Sequence, residues 1–270
     1  MIVSPGYLAG PGDPEAALAA FLDEHPSWNR YSHGQDTTVA IHEQLTAKIE
    51  LNHEETDGPR WTIASYESPV GQLAWRARFS ARTPHEVVTA VARRLSYALA
   101  HPSNWQQAEA LWGRLSRDIA IEGEAEAAAT SWNRTTTEHQ TSFSSSDGTA
   151  GVTIRAVQGT SEARVFPMFT VWGGPRSEDH PRWEATFTPF TPTTLITAAL
   201  GEVTQPVPAI RRASQIPAVH RSDIRSEPRH RPRFIAAQSR SAATVSTDLS
   251  LPDDPWSHAA APTRAAGRQP

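Results

Sequence analysis

Cysteine is absent from this 270-residue chain, and lysine occurs once, at Lys48. The first absence excludes disulfides, thiolate nucleophiles and cysteine-ligated zinc. Long apolar runs are missing too, since no stretch approaches the ~20 residues that a membrane-spanning helix needs. Residues Met1 to Gly10 lack the basic segment and apolar run of a secretory signal, so the cytoplasm is the expected location. Catalytic signatures are equally scarce. No Gly-x-Ser-x-Gly elbow and no P-loop occur, and Gly6, Gly10 and Gly12 do not have the spacing of a dinucleotide fingerprint. His42-Glu43-Gln44-Leu45-Thr46 lacks the second histidine of a zincin helix, and His53-Glu54-Glu55-Thr56-Asp57 reads as a solvated turn. The expectation is a chain with no catalytic residue, no cofactor, no metal and no membrane partner.

What remains is a moderately polar composition, 38% hydrophobic and 20% charged with 22 prolines, which suggests folded parts plus an unfolded remainder. Charge is uneven. Residues 1–107 carry 8 basic and 12 acidic side chains, residues 108–209 carry 7 and 12, and residues 210–270 carry 10 and 5. An acidic body thus precedes a basic tail.

The body contains one unit twice. Ser27-Trp28-Asn29-Arg30 recurs as Ser131-Trp132-Asn133-Arg134, at an offset of 104. The segment from Trp75 through Ala77 and Phe79 to Thr83-Pro84 recurs from Trp183 through Ala185 and Phe187 to Thr191-Pro192, at an offset of 108. Two ordered matches built on Trp, Phe and Pro identify an internal repeat, which fixes architecture before anything else.

Asp13-Pro14 reads as an N-cap and first helical residue, with Leu18, Phe21 and Leu22 as the apolar stripe. In the first copy, strands are expected at 37–43, 45–51, around Trp61–Ser65 and at Leu73–Ser80, with a turn at Asp57-Gly58-Pro59. Thr83-Pro84-His85-Glu86 has the form of a capping box opening a helix whose stripe is Val87, Val88, Val91, Leu95 and Leu99. The second copy repeats this plan. Its strands are expected at Thr141–Ser145, Thr149–Val157, Arg164–Trp172 and Trp183–Phe187, and its helix carries Leu195, Ile196, Ala199 and Val203. Trp105, Ala108, Leu111, Trp112 and Leu115 suit a connecting helix capped by Ser103. The fold class is α+β: two tandem repeats of about four antiparallel strands, each followed by a helix packed on the sheet, pairing as a pseudo-dimer. The expected divisions are a 1–26 leader with a short helix, repeat one at 27–102, connecting helix and repeat two at 103–209, and a disordered tail at 210–270.

Aromatic residues on strands admit two readings, base-stacking platform or core. Trp75, Phe79, Trp183 and Phe187 share a face with alanines and precede apolar helices, so core is favoured for them. Trp61 and Trp172 stay open and, with the outward-pointing Arg76 and Arg78, form the candidate binding surface. Glu184 and Thr186 occupy the positions of those arginines in repeat two, so no even basic groove crosses both copies. In the tail, Arg211, Arg212, Arg229, Arg231 and Arg233 are candidate contacts for nucleic acid or an acidic protein, set against a solvated tail or one that folds back on the acidic repeats of its own chain.

The opening Val3-Ser4-Pro5-Gly6-Tyr7-Leu8-Ala9-Gly10-Pro11-Gly12-Asp13-Pro14, the two Trp-to-Pro segments and Ser145-Ser146-Asp147-Gly148-Thr149-Ala150 resemble domain of unknown function family 317 of actinobacteria. That resemblance implies one or two copies per chain, chiefly in streptomycete-like bacteria, and carries no established activity or site residue. Repeat one departs from it with Glu43-Gln44 where repeat two has Asp147-Gly148. Strands followed by a helix, duplicated, also resembles the topology of Whirly and Pur-type single-strand binders, an analogy of fold alone. The expected function is non-enzymatic binding or regulation through a protein partner. Single-stranded nucleic-acid binding is the alternative, and an enzyme with a cleft between the repeats is a third reading.

Overall fold

Alternation of apolar and polar residues does build strands, but each copy has five of them, not four. The structure, a computed structural model, describes residues 1–101, 132–155, 167–174 and 182–228, all within the compact unit Met1–His230. It begins with strand β1 (Ile2–Ser4) and helix α1 (Pro14–Glu24). The first copy follows as β2 (Trp28–His33), β3 (Thr37–His42), β4 (Ala47–Asn52), β5 (Pro59–Tyr66), β6 (Leu73–Ser80) and α2 (His85–Ala100). The second is β7 (Asn133–Thr136), β8 (Gln140–Ser144), β9 (Ala150–Arg155), β10 (Phe169–Gly173), β11 (Trp183–Phe187) and α3 (Thr193–Thr204). Two short strands close it, β12 (Ala209–Ile210) and β13 (Arg225–Glu227). The strands missed by sequence, β2 and β7, open at the Trp and at the Asn of the repeated Trp-Asn-Arg. Their polar residues hide the alternation, because both are edge strands with little to bury. The expected connecting helix from Ser103 to Leu115 and the outer parts of the expected 149–157 and 164–172 strands lie outside the described residues.

Ten strands form a single antiparallel sheet in the order β2-β3-β4-β5-β6-β11-β10-β9-β8-β7. The copies meet where β6 pairs with β11, with Phe79 opposite Ala185, Arg78 opposite Thr186 and Ala77 opposite Phe187. At the repeat offset of 108, exchanging the copies reproduces this register. Residues 78 and 186 therefore sit where a two-fold axis would pass. Inward-facing Trp75, Ala77, Phe79, Trp183, Ala185 and Phe187 are all buried under α2 and α3. Phe79 and Phe187 meet edge-on, with ring centroids 6.0 Å apart at 84°, a contact worth about 0.5–1.5 kcal/mol beyond area burial.

The shared Thr-Pro pair does more than start a helix. Pro84 and Pro192 occupy the cap positions of α2 and α3, and neither helix has a side-chain cap, which corrects the expected capping box. Thr83 instead donates to the Glu184 carbonyl at 3.1 Å and hydrogen-bonds Ser80 at 3.0 Å. Ser80 Oγ accepts from the Glu184 amide at 3.1 Å, and its counterpart Thr188 Oγ1 accepts from the Arg76 amide at 2.9 Å. Each copy thus extends the β6–β11 pairing with a hydroxyl where the backbone ladder ends. The first amide of α2 is satisfied from elsewhere: His85 N–H donates to the Pro11 carbonyl at 3.2 Å. Helix α1 follows the sequence reading, with Asp13 Oδ1 accepting from Ala16 N at 3.0 Å and Pro14 first in the helix.

Both copies make the hairpin before their third strand. In the second, Gly148 takes φ 68°, and in the first Leu45 holds the matching place at φ 59°. The Leu45 amide donates to His42 O and the Gly148 amide to Ser145 O in equivalent turns. A leucine in the left-handed region costs about 1–2 kcal/mol, so the paired strands must outweigh that strain.

The tail boundary at 210 is also corrected. Strands β12 and β13 flank β1 in a second, three-stranded sheet, with Val3, Ala9, Ala209 and Ile216 as its apolar cluster. Two 3₁₀ turns, Ala213–Gln215 and Ala218–His220, link them. Strands of two or three residues in an Arg-, Pro- and Ser-rich stretch leave no periodic signal, and their partner lies at the other end of the chain. No helix among the described residues is long and apolar enough to cross a membrane.

Candidate functional site

The helices cover one face of the ten-stranded sheet, so any surface built by the strands is the opposite face. Trp61 is not on it. Alternation along β5 places Trp61 with Ile63 on the helix side, opposite Leu51 and Phe79 in register, and it is 3% exposed. Trp172 does point away from the helices, yet it is 2% exposed, lying against Gly151 so closely that a Cβ there would overlap its indole. Neither tryptophan offers a face to a base, so both leave the candidate binding surface. Trp172 Nε1 is buried without a hydrogen-bond partner among the described residues.

Arg76 and Arg78 remain. Arg78 is exposed and Arg76 half-buried, and neither forms an ion pair among the described residues. Partial burial, reinforced by the Arg78 charge, pulls the Arg76 guanidinium below its ordinary range, while Tyr66 opposes the shift. Two like charges are therefore held side by side on the helix-free face. A row in register across all ten strands runs through one of them: Tyr31, Val39, Glu50, Thr62, Arg78, Thr186, Thr170, Thr153, Ser142, Thr135. Its second half is entirely hydroxyl-bearing, and Ser142 donates to Thr153 at 3.3 Å where both are buried. Along this row copy one carries charge and copy two carries hydroxyls, of which Ser142 and Thr153 are buried.

Arg211, expected as a tail contact, is a structural residue with its side chain 1% exposed. Its guanidinium donates to both Glu86 carboxylate oxygens at 2.7 and 2.6 Å, to Gly10 O and to Ile210 O. It thereby joins α2, the opening segment and β12. Arg212 is exposed, while Arg229, Arg231 and Arg233 lie outside the described residues.

The opening segment reaches the second copy directly. Tyr7 donates its hydroxyl to Thr149 Oγ1 at 2.8 Å, and Thr149 in turn donates to Asp147 Oδ1 at 2.8 Å. Burial pushes the Tyr7 phenol up, which keeps it a donor. Partial burial works against the Asp147 carboxylate, but hydrogen bonds from Ser145 and Thr149 hold it below its usual range. The Trp183 indole N–H donates to Tyr7 O at 2.9 Å. Two sequence elements 142 residues apart, Tyr7 and Thr149, are thus one packed unit.

Two cavities that no sequence signal marked share Arg82 and Arg182 as walls. One, of about 230 Å³, is lined by Asp57, Ser80, Trp183 and Glu184 as well. The other, of about 340 Å³, adds Pro11, Pro217, Ala218, Val219 and His220. Among the described residues no three His, Asp or Glu side chains gather as a metal site.

Geometry defines the class as a two-layer α+β protein made from a duplicated sheet-and-helix unit. Residues 44–104 and 144–209 match the model of the SPDY family, Domain of unknown function (DUF317). One match falls on each copy, from the hairpin before the third strand through the helix, so the two outermost strands of each copy lie almost wholly outside it. No curated protein and no solved structure shows a significant match to the chain.

Proposed function

We propose that the chain is a non-enzymatic binding protein, a pseudo-dimer in which the helix-free face of the sheet receives an acidic segment of a protein partner at Arg76 and Arg78. The observation that carries this reading is the pair of adjacent guanidiniums, one exposed and one half-buried, that lack ion-pair partners among the described residues. Side-by-side like charge on a rigid strand is unfavourable in the free protein and is relieved by a carboxylate, for which the guanidinium fork is suited. The burial of Trp61 and Trp172 takes away the two tryptophan rings that the sequence offered for base stacking, which favours a protein partner over single-stranded nucleic acid. The unequal outer faces of the copies favour one partner site over two equivalent ones.

A photo-crosslinking residue at Thr62, opposite Arg78, with Tyr97 on α2 as control, tests this in the native host. A protein adduct from position 62 that disappears in the Arg76→Glu, Arg78→Glu double variant is expected. A nuclease-sensitive adduct, or tight salt-sensitive binding of single-stranded DNA or RNA by the chain cut after Pro228, would refute it. The cut belongs there because a cut at 209 removes Arg211 and with it the Glu86 ion pair.

A further inference from the structure

The larger cavity has a charge imbalance that its walls do not resolve. Among the described residues its lining contains two guanidiniums, Arg82 and Arg182, and no carboxylate. Arg182 forms no ion pair among the described residues, and its stem packs across Gly174, where a Cβ would overlap Arg182 Cβ and Cγ. Its amide donates to Gly173 O at 3.1 Å, which fixes the start of β11. The backbone and the first part of this side chain's stem are therefore placed before any ligand arrives. Arg82 is paired to Asp57 at 3.3 Å, with side chains 58% and 84% exposed. Such a pair contributes little and is readily exchanged for another anion.

The opposite wall is apolar: Pro11, Pro217, Ala218 and the half-exposed Val219. His220 completes it. At 4% exposure its Nδ1–H donates to Leu8 O at 2.7 Å, and Nε2 is buried with no partner among the described residues. Burial holds this imidazole below its ordinary value, against the Leu8 hydrogen bond, with the nearby Arg182 charge adding to the shift and the Asp223 carboxylate opposing it. At about 340 Å³ the space falls at the lower end of small-molecule sites, which run from roughly 300 to 1,000 Å³ and pair apolar walls with a few polar anchors.

We infer that this cavity binds a small organic anion, a carboxylate or phosphate monoester carried on an apolar body, with Arg182 and Arg82 holding the charged group and the Pro11–Pro217–Val219 wall holding the body. The site is independent of the partner surface at Arg76 and Arg78, and either can fail without the other.

Benzoate, phenyl phosphate and the neutral benzyl alcohol are the probes, applied to the full chain at matched ionic strength and read by melting temperature and titration calorimetry. At about 10 mM probe, a range that detects affinities down to roughly millimolar, at least one anion should raise the melting temperature while benzyl alcohol does not. Preference for benzoate assigns a free carboxylate, and preference for phenyl phosphate assigns a phosphate ester. Arg182→Gln should weaken binding at least about tenfold, Arg82→Gln should weaken it less, and Val219→Trp, which fills the cavity without altering a charge, should abolish it. No response to either anion overturns the inference. So does undiminished binding by Arg182→Gln, or an equal rise with inorganic phosphate that survives in Val219→Trp.

Discussion

Replacing Arg211 by alanine separates a structural arginine from a mobile tail contact. The side chain is 1% exposed and donates to a carboxylate and two backbone carbonyls, while Glu86 keeps 30% of its side-chain surface in water. Breaking a buried pair by removing one partner costs about 3–5 kcal/mol. Because Glu86 is partly solvated, the lower end applies, so Arg211→Ala should lose about 3 kcal/mol. For a chain of this size each kcal/mol moves the melting temperature by about 2–4 °C, so a drop of about 6–12 °C is expected. Urea unfolding of the Arg211→Ala, Glu86→Leu and double variants should give a coupling of about 1–3 kcal/mol, since the two groups share one network. Arg212→Ala, one residue away and exposed, is the control and should change almost nothing. If Arg211→Ala melts with wild type, or the cycle shows no coupling, the reasoning that places the 209–228 segment in the fold is wrong.

Leu45→Gly should stabilise by about 0.5–1 kcal/mol in urea titration, by releasing left-handed strain at φ 59° less the entropy of the added glycine. Ser80→Ala and Thr188→Val each remove an acceptor from an amide at the junction of the copies, and each should cost about 1–2 kcal/mol in the same assay. Trp183→Ala should cost about 3–5 kcal/mol, because it deletes a side chain that is 1% exposed and leaves Tyr7 O without its donor. Melting across pH should show two opposed trends. Burial lowers the His85 and His220 imidazoles from 6.5, so the stability they contribute is complete above that value and drains as pH falls from it through the depressed folded value. Burial, with the Glu86 charge adding, raises Glu202 from 4.5, so its contribution is present below 4.5 and is lost as pH rises through the raised value. Glu202→Gln should therefore stabilise the protein at pH 7 and leave it unchanged near pH 4.

Local patterning made part of this legible from sequence. Leu73–Ser80 was bounded correctly because its alternation is uninterrupted, and Asp13-Pro14 marked α1 because the cap is satisfied three residues away. Features whose partners are distant in sequence were not legible. Thr83 reads as a helix cap because Glu86 follows three residues later, but its hydroxyl is taken by Glu184, 101 residues on. Arg211 reads as tail because its partners, Gly10 and Glu86, are 201 and 125 residues back. Trp61 and Trp172 illustrate the limit for sites. Alternation assigns a strand residue to a face, but whether that face is covered depends on the rest of the fold.

Arg78 opposite Thr186 carries a consequence for how such a sheet can evolve. Two separate identical chains pairing through β6 in this register would place residue 78 against its own copy, and two arginines directly opposite on neighbouring strands repel. Within one chain the same position can be charged on one side and neutral on the other. Duplication also turns an association that depends on concentration into a connection that does not. One chain therefore admits outer faces that differ between its halves, as Arg76 and Arg78 differ from Glu184 and Thr186, where a pair of identical chains does not.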